Sequence, residues 1–109
     1  MPQTVRVYWR NLYGRVRLNH NWDAIDRESV VLVTASEWAL DPTSPQTSPR
    51  FIGAADVTVR NISPHGPPTD PNRGVTFVVD VNWNSPIDIV TDVTVLDDGP
   101  VDIQVQPRH

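Results

Sequence analysis

The chain has 109 residues, 39% apolar and 20% charged, with a net charge of −4 and no cysteine. That length suits one domain around a single core, spanning residues 1–109 with 107–109 as a frayed tail. Without cysteine there is no disulfide, thiolate zinc site or thiol nucleophile, so packing has to supply the stability.

Thr4 to Arg10 sets Val5, Val7 and Trp9 against Arg6, Tyr8 and Arg10, the alternation of a strand with one wet face. Asn11-Leu12-Tyr13-Gly14 supplies turn residues, and Arg15 to Asn19 alternates again with Val16 and Leu18 inward. The opening therefore reads as a β-hairpin. His20 to Arg27 has no sustained period and reads as a loop or a single helical turn. Val30 to Val33 is a β-branched run expected of a covered strand, carried to about Ala35. Ala35 to Leu40 is open between helix and strand.

Asp41 to Arg50 holds three prolines and reads as a stiff extended loop. Phe51 to Ile62 resumes alternation, with Ala55, Val57 and Val59 on one side. Ser63 to Arg73 is a second proline-rich loop.

Val75 to Val95 organises the rest. Val75, Phe77, Val79, Val81, Trp83, Ile87, Ile89, Val93 and Val95 keep to odd positions throughout. As one strand this stretch would reach about 70 Å at roughly 3.3 Å per residue, far more than a domain of this size can hold. It has to fold back, and Asn84-Ser85-Pro86 is the place, because Pro86 cannot donate to a ladder. Two strands result, about 75–83 and 87–96. Asp97-Asp98-Gly99-Pro100 is then expected to close a hairpin, with Val101, Ile103 and Val105 as the last strand.

The pattern predicts an all-β, single-domain antiparallel β-sandwich of about seven strands, immunoglobulin-like or Greek-key in architecture, with a small β-barrel as the alternative. If strands alternate in direction, loops 19–27, 63–73 and 97–100 share one end, and 11–14, 41–50 and 84–86 share the other. The first end gathers Trp22, Asp23, Asp70, Asn72, Asp97 and Asp98, together with His20, Asn21, Asp26 and His65. Trp22 beside Asn and Asp could stack on a sugar, and Trp83 could line an open end of the sandwich, giving a ligand-binding set of Trp22, Asp23, Asp70, Asn72, Asp97, Asp98 and Trp83. Carboxylates with amide carbonyls would also suit calcium, although no spacing matches a calcium-binding loop. Otherwise no cofactor is implied and no metal ligand is assigned. The plain alternative is that Asp, Asn and Pro occupy loops because they make turns.

Charge is unevenly placed. Residues 1–28 carry five arginines against Asp23, Asp26 and Glu28, a balance of +2, whereas residues 74–109 carry Arg108 against six aspartates, a balance of −5. Arg6, Arg10, Arg15 and Arg17 could face an anionic partner or a neighbouring subunit, and the acidic even positions Asp80, Asp88 and Asp92 are their natural counterpart. The overall negative balance argues against nucleic acid as the partner.

No serine-nucleophile elbow, phosphate-cradling glycine loop or zinc-protease helix motif is present. The leading expectation is a non-catalytic module that binds a small ligand, such as a carbohydrate, or a protein partner through loops at one end. The alternatives are a structural subunit of a homo-oligomer and a small enzyme with an internal pocket. No apolar run approaches the roughly 20 residues of a membrane-spanning helix. The chain also starts without the layout of a signal peptide. A cytoplasmic location is expected, or a secreted one if a leader was removed.

Overall fold

A computed structural model describes residues 1–39, 50–96 and 99–107. The described residues are all-β, with seven strands in two antiparallel sheets. The strands are β1 (Gln3–Leu12), β2 (Gly14–Asn21), β3 (Val31–Trp38), β4 (Arg50–Phe51), β5 (Asp56–His65), β6 (Gly74–Asn82) and β7 (Ile87–Val95). One sheet has the order β1-β7-β3-β4 and the other β2-β6-β5. None of the described residues forms a helix long and apolar enough to cross a membrane.

The two central strands are the halves of the long alternating stretch. The chain leaves β6 after Asn82, turns through 83–86 and enters β7 at Ile87 in the opposite sheet. Their odd positions meet in the middle: Val75, Phe77, Val79, Ile89 and Val93 are fully buried, with Val81 and Val95 nearly so. Ile25, from the connection between β2 and β3, is buried in the same cluster. Burying a side chain the size of Phe77 contributes about 2–3 kcal/mol. This cluster is therefore the main source of stability in a chain without cysteine.

The opening differs from a hairpin. β1 pairs with β7 and β2 pairs with β6, so β1 and β2 lie in different sheets. Asn11 (φ 59°) and Gly14 (φ 67°) sit in the left-handed region on either side of Leu12, and the β1 register shifts between Trp9 and Leu12. The turn residues read from sequence are present, but they carry the chain across the sandwich rather than back along one sheet. The same logic applies at 83–86. Turn-forming residues mark a reversal without saying whether it stays within a sheet.

Three further boundaries moved. β3 runs on to Trp38, where it pairs with Arg50 of β4. β5 starts at Asp56 and extends through Pro64 to His65, taking in the beginning of the predicted loop, with a bulge between Arg60 and Ser63 where Asn61 has φ 55°. Residues 101–107 join neither sheet, so the predicted last hairpin does not form. The strand count of seven is reached with β4 in its place. Most of the predicted 41–50 loop, and Asp97, Asp98, Arg108 and His109, lie outside the described residues.

Candidate functional site

The loops sort to two ends as strand alternation requires. At the first end, the Trp22 amide donates to the Arg73 carbonyl at 2.8 Å and the Leu96 amide to Val30 at 3.0 Å. Gly66 packs on Asp26 and Arg27, and Gly99 on the Glu28 carbonyl. Residues 22–30, 66–73 and 99 therefore converge. Trp22, Asp23, Asp70 and Asn72 are all in this group. Trp83 is not, since it follows Asn82, which pairs with Asp56 at the opposite end. Asp97 and Asp98 fall outside the described residues.

The polar groups of the first end are bonded mainly to one another. Asp26 Oδ1 accepts the Glu28 amide at 2.9 Å, and the Ser29 hydroxyl accepts the Asp26 amide at 3.0 Å. Asp70 Oδ1 accepts the Asn72 amide at 2.8 Å. These are aspartate-stabilised turns, made because a short carboxylate reaches the amide two residues on. His65 lies with Nδ1 2.7 Å from the Asn72 carbonyl and Nε2 2.7 Å from Asn19 Oδ1, which also accepts from the Thr76 hydroxyl at 2.9 Å. Trp22 packs half-buried against the core. Among the described residues, no group of three or more His, Cys, Asp or Glu could hold a metal ion.

The four arginines divide between the sheets. Arg6 binds Asp92 through two hydrogen bonds, Nε to Oδ1 at 2.7 Å and Nη2 to Oδ2 at 3.0 Å, and Arg50 reaches the same carboxylate at 2.7 Å. The Arg6 hydrogen bonds hold the Asp92 carboxyl below the usual carboxylate range and raise the Arg6 guanidinium above its own, with burial opposing both shifts. Arg10 lies 3.7 Å from Asp88 and sits over the ring of Trp38 at 5.9 Å. Trp38 is in turn 4.6 Å from Tyr8. The basic β1 face and the acidic β7 face thus meet within one chain, through cross-strand pairing of Arg6 with Asp92. Sequence reasoning missed the part played by Arg50 and Trp38, which reach this face from β3 and β4.

Arg15 and Arg17 point away from the core on β2, in the other sheet. Asp80 stands opposite Arg15 in the ladder, yet its ion pair is with Arg60. Neither Arg15 nor Arg17 forms an ion pair among the described residues. A shallow depression of about 400 Å³ lies beside them, lined by Gly14, Arg15, Arg60, Asp80 and Asn82.

A smaller cavity of about 220 Å³ opens at the other end, between β3 and residues 51–57. Glu37 lines it, and its Oε2 is buried without a hydrogen-bond partner against Gly53. A Cβ at Gly53 would meet the tip of the Glu37 side chain, which would have to shift to admit it. The sequence reading did not single out Glu37, which occupies an inward position on a strand where an apolar residue is the norm.

The remaining unusual surface is apolar. Ile52, Val101, Ile103 and Val105 are almost fully exposed, and Trp83, Leu32 and Phe51 about half so. No protein-family model, curated protein or solved structure matches the chain.

Proposed function

We propose that this protein is a non-catalytic structural subunit of a homo-oligomer, contacting neighbouring copies through its sheet edges and exposed apolar side chains. One contrast carries this reading. Asp26, His65 and Asp70 at the first end are engaged in turns and internal hydrogen bonds, whereas Val101, Ile103 and Val105 are 103%, 74% and 91% exposed. Covering an aliphatic side chain of this size contributes about 1.5–3 kcal/mol, so a neighbour that buries several of them gains enough to associate. The outer strands β1 and β2 add unpaired backbone edges, the usual template for association between β proteins.

Light scattering across protein concentration and sodium chloride tests the reading. The expected result is a mass that rises with concentration and exceeds one chain in the micromolar range. A single-chain mass at every concentration and salt would overturn it.

A second reading rests on Glu37. A buried carboxylate oxygen without a donor is costly, and a small cationic ligand entering the cavity beside Phe51 would supply one. Titration with ethylamine, followed by tryptophan fluorescence, is expected to saturate in the parent and to give no response in Glu37→Gln. A linear, non-saturating response in both removes this reading.

A further inference from the structure

The 101–107 segment alternates in sequence as a strand would, but among the described residues it joins no sheet. Gln104 Nε2 donates to Asp102 Oδ2 at 2.9 Å, and Gln106 Nε2 to Gln104 Oε1 at 3.3 Å. An extended backbone brings side chains two residues apart together in this way, because every second residue shares a face. Asp102, Gln104 and Gln106 therefore form one polar face. Val101, Ile103 and Val105 form the other, with relative exposures of 103%, 74% and 91%. Among the described residues, the backbone of this segment makes no hydrogen bond to either sheet.

Of the available edges, β2 is the best fitted to receive such a strand. It pairs with β6 without a break from Gly14 to Asn21 and contains no proline. β5 is interrupted by the bulge at 60–63 and by Pro64, and β1 by its bulge beyond Trp9. β3 packs along β5, which closes that side of the sandwich. β2 also carries the complementary pattern, with Val16 and Leu18 facing the core and Arg15 and Arg17 facing out. Charge agrees with shape, because Arg6 and Arg10 on β1 are occupied by Asp92 and Asp88 while Arg15 and Arg17 make no ion pair among the described residues.

We infer that residues 101–106 of one copy add as an antiparallel strand to the β2 edge of a second copy. This rests on the homo-oligomer reading above and names its contact. Setting Ile103 opposite Val16 places Val101 opposite Leu18, Asp102 opposite Arg17 and Gln104 opposite Arg15. Both apolar pairs then face the core side, where Val16 is only half-buried in the single chain. Asp102 supplies the carboxylate that Arg17 lacks. The added strand extends the three-stranded sheet to four and covers its open edge.

The absence of cysteine makes the test direct. Ile103→Asp places a charge on a side chain that is 74% exposed in the single chain, so its folding should match the parent by circular dichroism and melting. Its mass by light scattering is expected to fall to one chain. A mixture of two single-cysteine chains of different length, Arg15→Cys and Gln104→Cys, is expected to form the mixed disulfide under mild oxidation. Arg10→Cys in place of Arg15→Cys is expected to form at least tenfold less. If the parent associates and Ile103→Asp still associates equally, the strand proposal falls while the oligomer reading stands. If the parent is a single chain at all concentrations, the oligomer reading falls as well. A disulfide that forms within the Arg15→Cys, Gln104→Cys double variant but not between the two single variants would show the segment closing on its own β2, and would overturn the exchange.

Discussion

Thr91 is fully buried in the middle of β7, between Ile89 and Val93, where the alternation of apolar residues lapses for one position. The reason lies across the sheet, where the Trp9 indole N–H donates to its hydroxyl at 2.9 Å. A buried tryptophan needs such an acceptor, and Thr91 provides it inside the core. Thr91→Val keeps the volume but leaves the indole unbonded, and is expected to lower the unfolding free energy by about 1–3 kcal/mol in a urea titration. Asp92 gives a pH-dependent counterpart. Its carboxyl is held below the ordinary range by Arg6, so the stability it contributes is complete above its unfolded value, about 3.9, and is lost as pH falls through the lower folded value. Asp92→Asn is expected to cost about 1 kcal/mol at pH 7, the top of the range for an exposed pair. The difference between parent and variant should shrink toward zero under progressively more acid conditions in the same denaturation assay. The charge asymmetry of the chain made the arginine–aspartate match legible. The identity of each pair was not, since cross-strand register decides it.

At the level of elements, local patterns named strands well and connections poorly. The alternation over 75–95 together with its length was enough to place two strands and the break at 84–86, because no domain of this size accommodates one strand that long. The alternation over 101–105 was equally regular, yet among the described residues no strand pairs with it. Periodicity reports that a segment can bury one face. It does not say what will cover that face, and here we assign the cover to another copy. The β1–β2 connection makes the same point in reverse: its turn residues were visible, but the chain passes between sheets. Gly14 is required there by backbone conformation alone, since its φ is 67° and an added Cβ would meet no atom within 4 Å. Gly14→Ala should therefore cost about 1 kcal/mol, and Gly14→Asn less, by thermal melting. A much larger loss from alanine would mean that the crossing tolerates no side chain for a reason other than φ.

On the scale of the whole molecule, the two sheets enclose one cluster built mainly from β6 and β7, joined by Leu18, Ile25 and Val31, with β1, β2, β3 and β5 adding partly buried residues. One flank is closed where β3 packs on β5. The other ends in β1 and β2, which lie in different sheets and follow one another through the 12–14 crossing. That asymmetry favours growth from the β1–β2 side. We expect the oligomer mass to decrease when Arg17 is reversed to Asp, by at least tenfold weaker association in light scattering, with the melting temperature of the isolated chain unchanged. Raising salt should weaken the parent in the same direction, because an exposed Asp–Arg pair at an edge is screened.

Composition and the period of two, by themselves, determined an all-β chain, its core positions in 75–95 and the sorting of loops to two ends, because strand alternation and chain length leave few other ways to bury those residues. Tertiary structure decided which sheet each strand joins, since a turn of given composition can reverse the chain within a sheet or between sheets. It also decided that Asp26 and Asp70 are taken up by their own loops and His65 by Asn72 and Asn19, that Arg6 and Arg10 are matched by aspartates while Arg15 and Arg17 make no ion pair among the described residues, and that Val101, Ile103 and Val105 stand largely exposed. These outcomes depend on register and on distance between remote segments, neither of which a linear pattern contains.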